Sequence, residues 1–226
     1  MNQEMKLAMQ KAMPIMTGFT FLGITYGIFM HQLGFNFLFP TLMAASIFAG
    51  SLEFILTNLL LKDFSPWLVL FLSFIINSRH LFYGISMLKP FKNAGWKKFY
   101  LIFGMCDETF SINFSSKIPE GLDRQKFMLY VTMFNHVGWV FGAMLGGLLG
   151  SLITFQIPGV DFVMVALFLT LFVSQFNGEE NHFSSLTGLA VGLFSLLLFG
   201  EEFFMLIALI IMVVILWFRY KKEVRA

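Results

Sequence analysis

The chain has 226 residues, of which 58% are hydrophobic and only 12% are charged, with 15 Lys and Arg against 13 Asp and Glu. Soluble globular domains carry about 25% charged residues, and the mean hydropathy of +0.78 also excludes an ordinary soluble domain. The nearly balanced charge gives no basic surface for nucleic acid, and the single cysteine, Cys106, cannot form an internal disulfide.

Eight hydrophobic segments follow one another along the chain, and a membrane helix needs about 20 apolar residues. The segments are 12–30, 38–61, 66–88, 99–115, 127–155, 162–176, 183–199 and 203–218. The last two are joined by the short turn Gly200-Glu201-Glu202. Strands of an outer-membrane barrel alternate apolar with polar residues, whereas these runs are apolar on every face. We therefore expect an all-α, multi-pass protein of the inner-membrane type, with residues 1–226 forming one transmembrane domain.

The basic residues predict which loops face the cytoplasm, because Lys and Arg are retained there when loops are short. One basic cluster precedes the fourth segment and another follows it, so both ends of that segment are expected to be cytoplasmic. The clusters are Lys89, Lys92, Lys97 and Lys98, and Lys117, Arg124 and Lys126. If the fourth segment is re-entrant, a cytoplasmic amino terminus with Lys6 and Lys11 requires the second segment to dip in and return as well. Pro40 and the small residues at 44–46 and 49–51 suit such a broken helix.

The resulting topology has six crossings and two re-entrant or broken segments, 38–61 and 99–115, with both termini in the cytoplasm. It places 13 of the 15 basic residues inside, Lys62 outside and Arg79 within the membrane. The alternative is eight full crossings, in which case one of the two basic clusters lies outside.

Four ionisable residues fall within apolar segments: Glu53, Arg79, Asp107 and Glu108. An Arg or Asp at the centre of a membrane helix costs about 2.5 to 3.5 kcal/mol, so such residues normally face a cavity or a partner. Three carboxylates exceed what Arg79 alone requires, which suggests a ligand that carries a cation. The alternative is that Arg79 pairs with Asp107 or Glu108 only to hold two segments together.

The densest polar string in the membrane region is Asn77-Ser78-Arg79-His80-Leu81-Phe82-Tyr83-Gly84. On a helix, Tyr83 is a neighbour of Arg79 at i,i+4 and of His80 at i,i+3. Arginine binds carboxylates in a planar bidentate fork that lysine cannot reproduce, so a solute with a carboxylate is the expected partner. The alternatives are a buried neutral imidazole at His80 and an interfacial aromatic residue at Tyr83.

Glycine recurs every four residues along the fifth segment, at Gly138, Gly142, Gly146 and Gly150. Such a stripe lets another helix approach closely and predicts helix packing, either within this chain or with another. The histidines lie in different segments or loops, and no His-Glu-x-x-His or Cys/His spacing predicts a metal site.

Three motifs stand in order along the chain: Phe48-Ala49-Gly50-Ser51-Leu52-Glu53-Phe54, the string at 77–84, and Asp107-Glu108-Thr109-Phe110. They resemble the motifs of the AzlC family of branched-chain amino-acid exporters. Their order and spacing match the family over about residues 14–141. Similar proteins commonly have Gln at the position of Glu53. A glutamate there can carry a negative charge, which would alter the substrate charge preference or the proton coupling.

The resemblance implies a secondary exporter of branched-chain or similar neutral amino acids that works with a small AzlD-like membrane subunit and needs no cofactor. On this hypothesis the 77–84 string, with Asn77, His80 and Tyr83, supplies the site in which Arg79 binds the substrate carboxylate.

The ammonium group would be held by Asp107, Glu108 or Glu53. Proton coupling is expected because a carboxylic acid inside the membrane can hold a proton and release it when substrate binds. Two alternatives remain: a structural membrane subunit of a complex, and an intramembrane metal-dependent hydrolase that uses His80, His136, Glu53 and Asp107.

Overall fold

The computed structural model describes residues 2–61, 65–92, 94–152 and 181–225, together with a few single residues between 165 and 177. Within these ranges the chain is helical apart from turns and short connections. The predicted segment 162–176 lies mostly outside the described residues. The chain divides into two compact units, Met1–Phe64 with His80–Met164, and Ser65–Arg79 with Val165–Ala226.

Nine α-helices follow one another in the described residues. They are α1 (Gln3–Gln32), α2 (Leu38–Ser46), α3 (Gly50–Leu60), α4 (Pro66–Asn77), α5 (Arg79–Phe91), α6 (Lys97–Phe103), α7 (Asp107–Ser115), α8 (Arg124–Leu149), which a 3-10 turn (Gly150–Leu152) extends, and α9 (Phe183–Arg225). The all-α class predicted from the sequence is confirmed for this part of the chain.

Three of the described helices are long and apolar enough to cross a membrane: α1, α8 with its 3-10 turn, and the Phe183–Gly200 part of α9. The number becomes four if α4 and α5, which pass the same test together, form one span. These helices identify a membrane protein with several transmembrane helices, while the count of six crossings stays a prediction.

Both segments that were expected to be broken are interrupted inside their apolar stretch. In the second segment α2 ends at Ser46 and α3 begins at Gly50, and Phe48 between them has a left-handed φ of 50°. In the fourth segment α6 ends at Phe103 and α7 begins at Asp107. Lipid offers no partner to the backbone groups that a break releases, so polar side chains are expected to gather at these two places.

The third segment, predicted as one continuous stretch over 66–88, is interrupted as well. Helix α4 ends at Asn77 and α5 begins at Arg79. Ser78 between them is buried, and its hydroxyl donates to the carbonyl oxygen of Ile75 at 2.7 Å. A serine that bonds back to its own helix disturbs the helical ladder without a proline or glycine, which is why apolar periodicity did not predict this interruption.

Helices α1 and α8 pack against each other backbone to backbone in the first unit. Each glycine of the predicted stripe faces a residue of α1, so the neighbour of the stripe lies in this chain. Gly138, Gly142, Gly146 and Gly150 meet Met16, Thr20, Ile24 and His31, respectively. The approach is mutual, because a Cβ atom on Gly23 of α1 would lie 2.6 Å from the carbonyl oxygen of Trp139.

The second unit contains α4 and α9. Helix α9 is interrupted at Gly200, which has φ 70° and ψ 179°, at the turn predicted between the last two segments. The Arg219 guanidinium, after the interruption, lies 4.2 Å from the centre of the Phe183 ring, at the start of the helix. The two halves of α9 therefore fold back on each other. Phe71 of α4 contacts Phe203 with ring centres 6.3 Å apart. Many large apolar side chains along Phe183–Gly200 are exposed, as expected for a surface that faces lipid.

Candidate functional site

Glu53 closes the break between α2 and α3. Its side chain is fully buried in the first turn of α3. The N–H of Ala49 donates to Oε1 at 2.9 Å, and Nε1–H of Trp139 on α8 donates to Oε1 at 3.1 Å and to Oε2 at 3.3 Å. The Trp139 ring stacks on Tyr26 of α1, with ring centres 5.8 Å apart. The carboxyl group therefore satisfies a backbone donor that the start of α3 leaves open and ties that end of the helix to α8.

Aromatic rings connect this break to the one between α6 and α7. Phe48 packs on the imidazole of His136 with ring centres 4.7 Å apart, and its ring lies 6.3 Å from that of Phe103. The Nδ1 atom of His136 is hydrogen-bonded to the hydroxyl of Tyr100 at 2.9 Å. One residue of α8, His136, thus contacts residues from both interrupted segments.

Polar residues surround the start of α7, where the second break ends. Asp107 and Glu108 form its first turn, where the helix dipole favours negative charge, and Glu108 is only 6% exposed. The next residue, Thr109, is fully buried, and its Oγ1 accepts a hydrogen bond from Nδ2 of Asn135 on α8 at 3.0 Å. The Sγ atom of Cys106 lies 3.1 Å from the same hydroxyl.

A second buried amide, Asn113, lies one helical turn after Thr109. Its side chain is 3% exposed, and its backbone carbonyl accepts a hydrogen bond from Nη2 of Arg124 at 3.3 Å. Neither Asn113 nor Asn135 was predicted from the sequence, because both are uncharged and the candidate residues were those that carry charge in apolar segments. A search for uncharged amides in the same segments would have found both. No signal in a single sequence pairs Trp139 with Glu53.

The 77–84 motif straddles the interruption at Ser78. Asn77 is the last residue of α4, and Arg79 is the first residue of α5 and is half-buried. In the first unit the His80 and Tyr83 rings meet edge to face with centres 5.7 Å apart. Tyr83 also stacks on Phe110 of α7, with ring centres 4.5 Å apart and planes 13° apart. The second and third family motifs therefore meet through Tyr83 and Phe110.

The residues named for a metal-dependent hydrolase do not form a ligand set in the structure. Among the residues it describes, no three His, Cys, Asp or Glu side chains are grouped so that they could hold a metal ion. His136 contacts Tyr100, Phe48 and Phe103, and Glu53 contacts Ala49 and Trp139.

The long apolar helices are those of a membrane protein, and its buried polar side chains lie where helices are interrupted. The model of the family described as AzlC protein matches residues 14–153, and the chain belongs to the AzlC family. The resemblance predicted from the three motifs is confirmed.

Individual relatives agree with this membership. The chain is 52% identical over 197 residues to a Bacillus subtilis protein named branched-chain amino acid transport protein AzlC, covering 87% of this chain and 78% of the relative. It is 44% identical over 222 residues to an uncharacterized membrane protein of Haemophilus influenzae, covering 98% of this chain and 91% of the relative. It is 26% identical over 183 residues to the Escherichia coli inner membrane protein YgaZ, covering 75% of this chain and 72% of the relative. No solved structure matches the chain.

Proposed function

We propose that this chain exports branched-chain or similar neutral amino acids across the cytoplasmic membrane of a bacterium. The observation that carries the proposal is the 52% identity, over 87% of the chain, to a protein named for branched-chain amino acid transport. The buried polar groups at the two helix breaks support it, because secondary transporters commonly build their substrate sites where membrane helices are interrupted.

The substrate is a zwitterion, so its site needs both a cation and an anion. Arg79 binds the substrate carboxylate, because only a guanidinium offers a planar pair of donors. His80 and Tyr83 belong to the same motif and line that part of the site. Asp107 and Glu108, in the first turn of α7, supply negative charge for the ammonium group.

Glu53 has a different role in this proposal. Both of its carboxyl oxygens already accept hydrogen bonds, from Ala49 and from Trp139. Glu53 therefore holds the α2–α3 break in place instead of binding the ammonium group. This role suits either Glu or Gln at position 53, because each side chain carries an acceptor oxygen.

The topology that belongs to this proposal has six crossings and two half-membrane elements, with both termini in the cytoplasm. The distribution of basic residues supports it. Cysteine placed at Lys62 should react with an impermeant thiol reagent added from outside the cell, with Cys106 replaced by Ser to remove the background. Reaction from the cytoplasmic side alone would contradict the topology.

Efflux of Leu, Ile and Val from cells that express the chain tests the function directly. Cells should be compared with and without a small AzlD-like membrane subunit, and at different external pH, because the proposal includes this partner and proton coupling. Loss of cellular amino acid that depends on the chain is the expected result. Equal efflux with and without the chain, in the presence of the partner, would refute the proposal.

Two conservative variants test the site. Arg79→Lys and Asp107→Asn should abolish efflux while membrane abundance stays unchanged. The matched controls are Lys117→Arg, at an exposed position between α7 and α8, and Asp123→Asn, because Asn also serves as an N-cap. If both test variants export at the wild-type rate, these assignments are wrong. If Arg79→Ala lowers abundance without changing efflux per assembled complex, the chain is a structural subunit.

A further inference from the structure

Two buried amide oxygens stand out in the first unit. Asn135 of α8 is fully buried and Asn113 of α7 is 3% exposed. Nδ2 of Asn135 donates to the hydroxyl of Thr109. Within the part of the chain that the structure describes, however, the Oδ1 atoms of Asn135 and Asn113 accept no hydrogen bond.

Buried polar side-chain atoms in folded proteins nearly always have a hydrogen-bond partner. Thr109 and Asn113 are four residues apart, so they lie on the same face of α7, and Thr109 contacts Asn135. The two amide oxygens therefore belong to one buried region between α7 and α8. Both are acceptors, and a ligand that satisfies them must bring donors.

The surroundings restrict the ligand further. Glu108, next to Thr109 in the chain, is buried, and Asp107 begins the same helix. A ligand with several N–H donors and a positive charge fits two neutral acceptors beside acidic residues. A primary ammonium group has three N–H donors and no acceptor.

We propose that Asn113 and Asn135 are substrate-binding residues whose amide oxygens accept hydrogen bonds from the α-ammonium group of the transported amino acid. This inference rests on the proposed function, and it adds two binding residues to that site. Asp107 and Glu108 supply charge, while the amides fix the position of the ammonium group without adding charge. Glu53 contrasts with them, because its oxygens are occupied by Ala49 and Trp139.

Three probes separate the two ends of the substrate: L-leucine, 3-methylbutylamine, which lacks the carboxylate, and 4-methylpentanoate, which lacks the ammonium group. Binding is measured by the ligand-dependent rise in melting temperature of the full chain, purified in detergent together with its partner subunit if the two copurify. Leucine and the amine should stabilise the wild-type protein.

Asn135→Leu and Asn113→Leu remove an acceptor while keeping the side chain close in size. Each should weaken binding of leucine and of the amine by about 10- to 100-fold, the usual effect of losing a hydrogen bond to a charged group. Binding of 4-methylpentanoate should change by less than about threefold. The matched control is Thr132→Val on the same helix, because the Thr132 hydroxyl is buried but already donates to the carbonyl of Met128. This control should leave all three affinities unchanged.

Asn135→Asp tests the inference in the opposite direction if the leucine variants do not fold. It retains an acceptor and adds a negative charge, so amine binding should tighten by about tenfold, and 4-methylpentanoate should bind more weakly. Equal loss of all three probes, or no loss of any, would overturn the inference. The two amide oxygens could instead bind a sodium ion, so leucine binding is also measured with sodium replaced by choline. The inference is overturned if the variants change only the dependence of leucine binding on sodium.

The same measurements separate this inference from the proposed function. If leucine is exported normally and neither amide variant affects it, the function stands and the amide site is wrong. If the wild-type chain exports no amino acid but binds 3-methylbutylamine in a manner that requires Asn135, the site stands and the function is wrong. A wild-type protein that binds none of the probes overturns the amide site.

Discussion

Substitutions at Glu53 test whether this residue holds a helix break or binds substrate. Glu53→Gln should leave efflux and stability close to wild type. The remaining Oε1 atom still accepts from Ala49, at 2.9 Å, and from Trp139, at 3.1 Å. The Nε2 amide that replaces Oε2 is a donor and cannot accept the Trp139 N–H that lies 3.3 Å from Oε2. We therefore expect a loss of about 1 kcal/mol in the free energy of unfolding, roughly one net hydrogen bond.

Glu53→Leu should be far more costly, although leucine fills a similar volume. It leaves two donors without an acceptor, the part-buried N–H of Ala49 and the buried Nε1–H of Trp139. Each buried donor without a partner costs about 1 to 3 kcal/mol, so the two together cost about 2 to 6 kcal/mol. For a chain of this length about 1 kcal/mol shifts the melting temperature by about 2 to 4 °C, which predicts a fall of about 4 to 24 °C.

A double variant isolates the contact between α3 and α8. Trp139→Phe removes one of the two stranded donors, so it should recover about 1 to 3 kcal/mol when it is added to Glu53→Leu. In the wild-type background the same change deprives Oε2 of its donor and should be destabilising. The two substitutions should therefore be non-additive, as expected for residues in direct contact.

Thermal melting of the detergent-purified chain and efflux per unit of membrane abundance are measured for each variant. The assignment of Glu53 to holding the α2–α3 break is refuted if Glu53→Gln abolishes efflux at an unchanged melting temperature, because Glu53 would then act on the substrate. It is also refuted if Glu53→Leu melts within about 2 °C of the wild-type protein, less than the smallest shift calculated above.

Three further substitutions test the fold, each by its melting temperature. Gly27→Ala would drive a Cβ atom into the carbonyl oxygen of Ala143 and should cost about 1 to 3 kcal/mol. Gly18→Ala, with open space on the same helix, should be neutral or stabilising by up to about 1 kcal/mol. Equal shifts in melting temperature for the two variants would contradict the close packing of α1 and α8. Asp123→Ala removes the acceptor for the first N–H groups of α8 and should cost about 0.5 to 2 kcal/mol, an effect that Glu120→Ala in the preceding loop should not reproduce. Gly200→Ala forces a side chain into backbone angles that only glycine adopts freely and should cost about 1 to 3 kcal/mol; an unchanged melting temperature would contradict that geometry.

The interrupted segments show what a single sequence can predict about such a fold. Interruptions within the segments 38–61 and 99–115 were predicted, although not at which residues, because basic clusters flank one segment and small residues fill the other. The interruption at Ser78 was not predicted, because no proline or glycine marks it and the only local feature is a hydroxyl that bonds back to Ile75. Many serines inside helices make similar bonds without ending the helix, so the residue type alone carries no signal.

The candidate site shows a similar division. Its charged residues were identified because charge is rare and costly in a membrane segment. Their partners were not identified, because Trp139 lies 86 residues from Glu53 in the chain and Asn135 lies 26 residues from Thr109. These pairings arise when α8 packs beside α3 and α7, and neither hydrophobic periodicity nor the position of the basic residues encodes that packing.

The close packing of α1 and α8 also restricts how the first unit can rearrange. Carbonyl oxygens of Thr20 and Ile24 occupy the space above Gly142 and Gly146, so a shift of one helix along the other would press backbone against neighbouring side chains. The two long helices are therefore expected to keep a fixed position relative to each other. A rearrangement of the first unit during the proposed transport would therefore involve the helices of 7 to 11 residues that flank the two breaks.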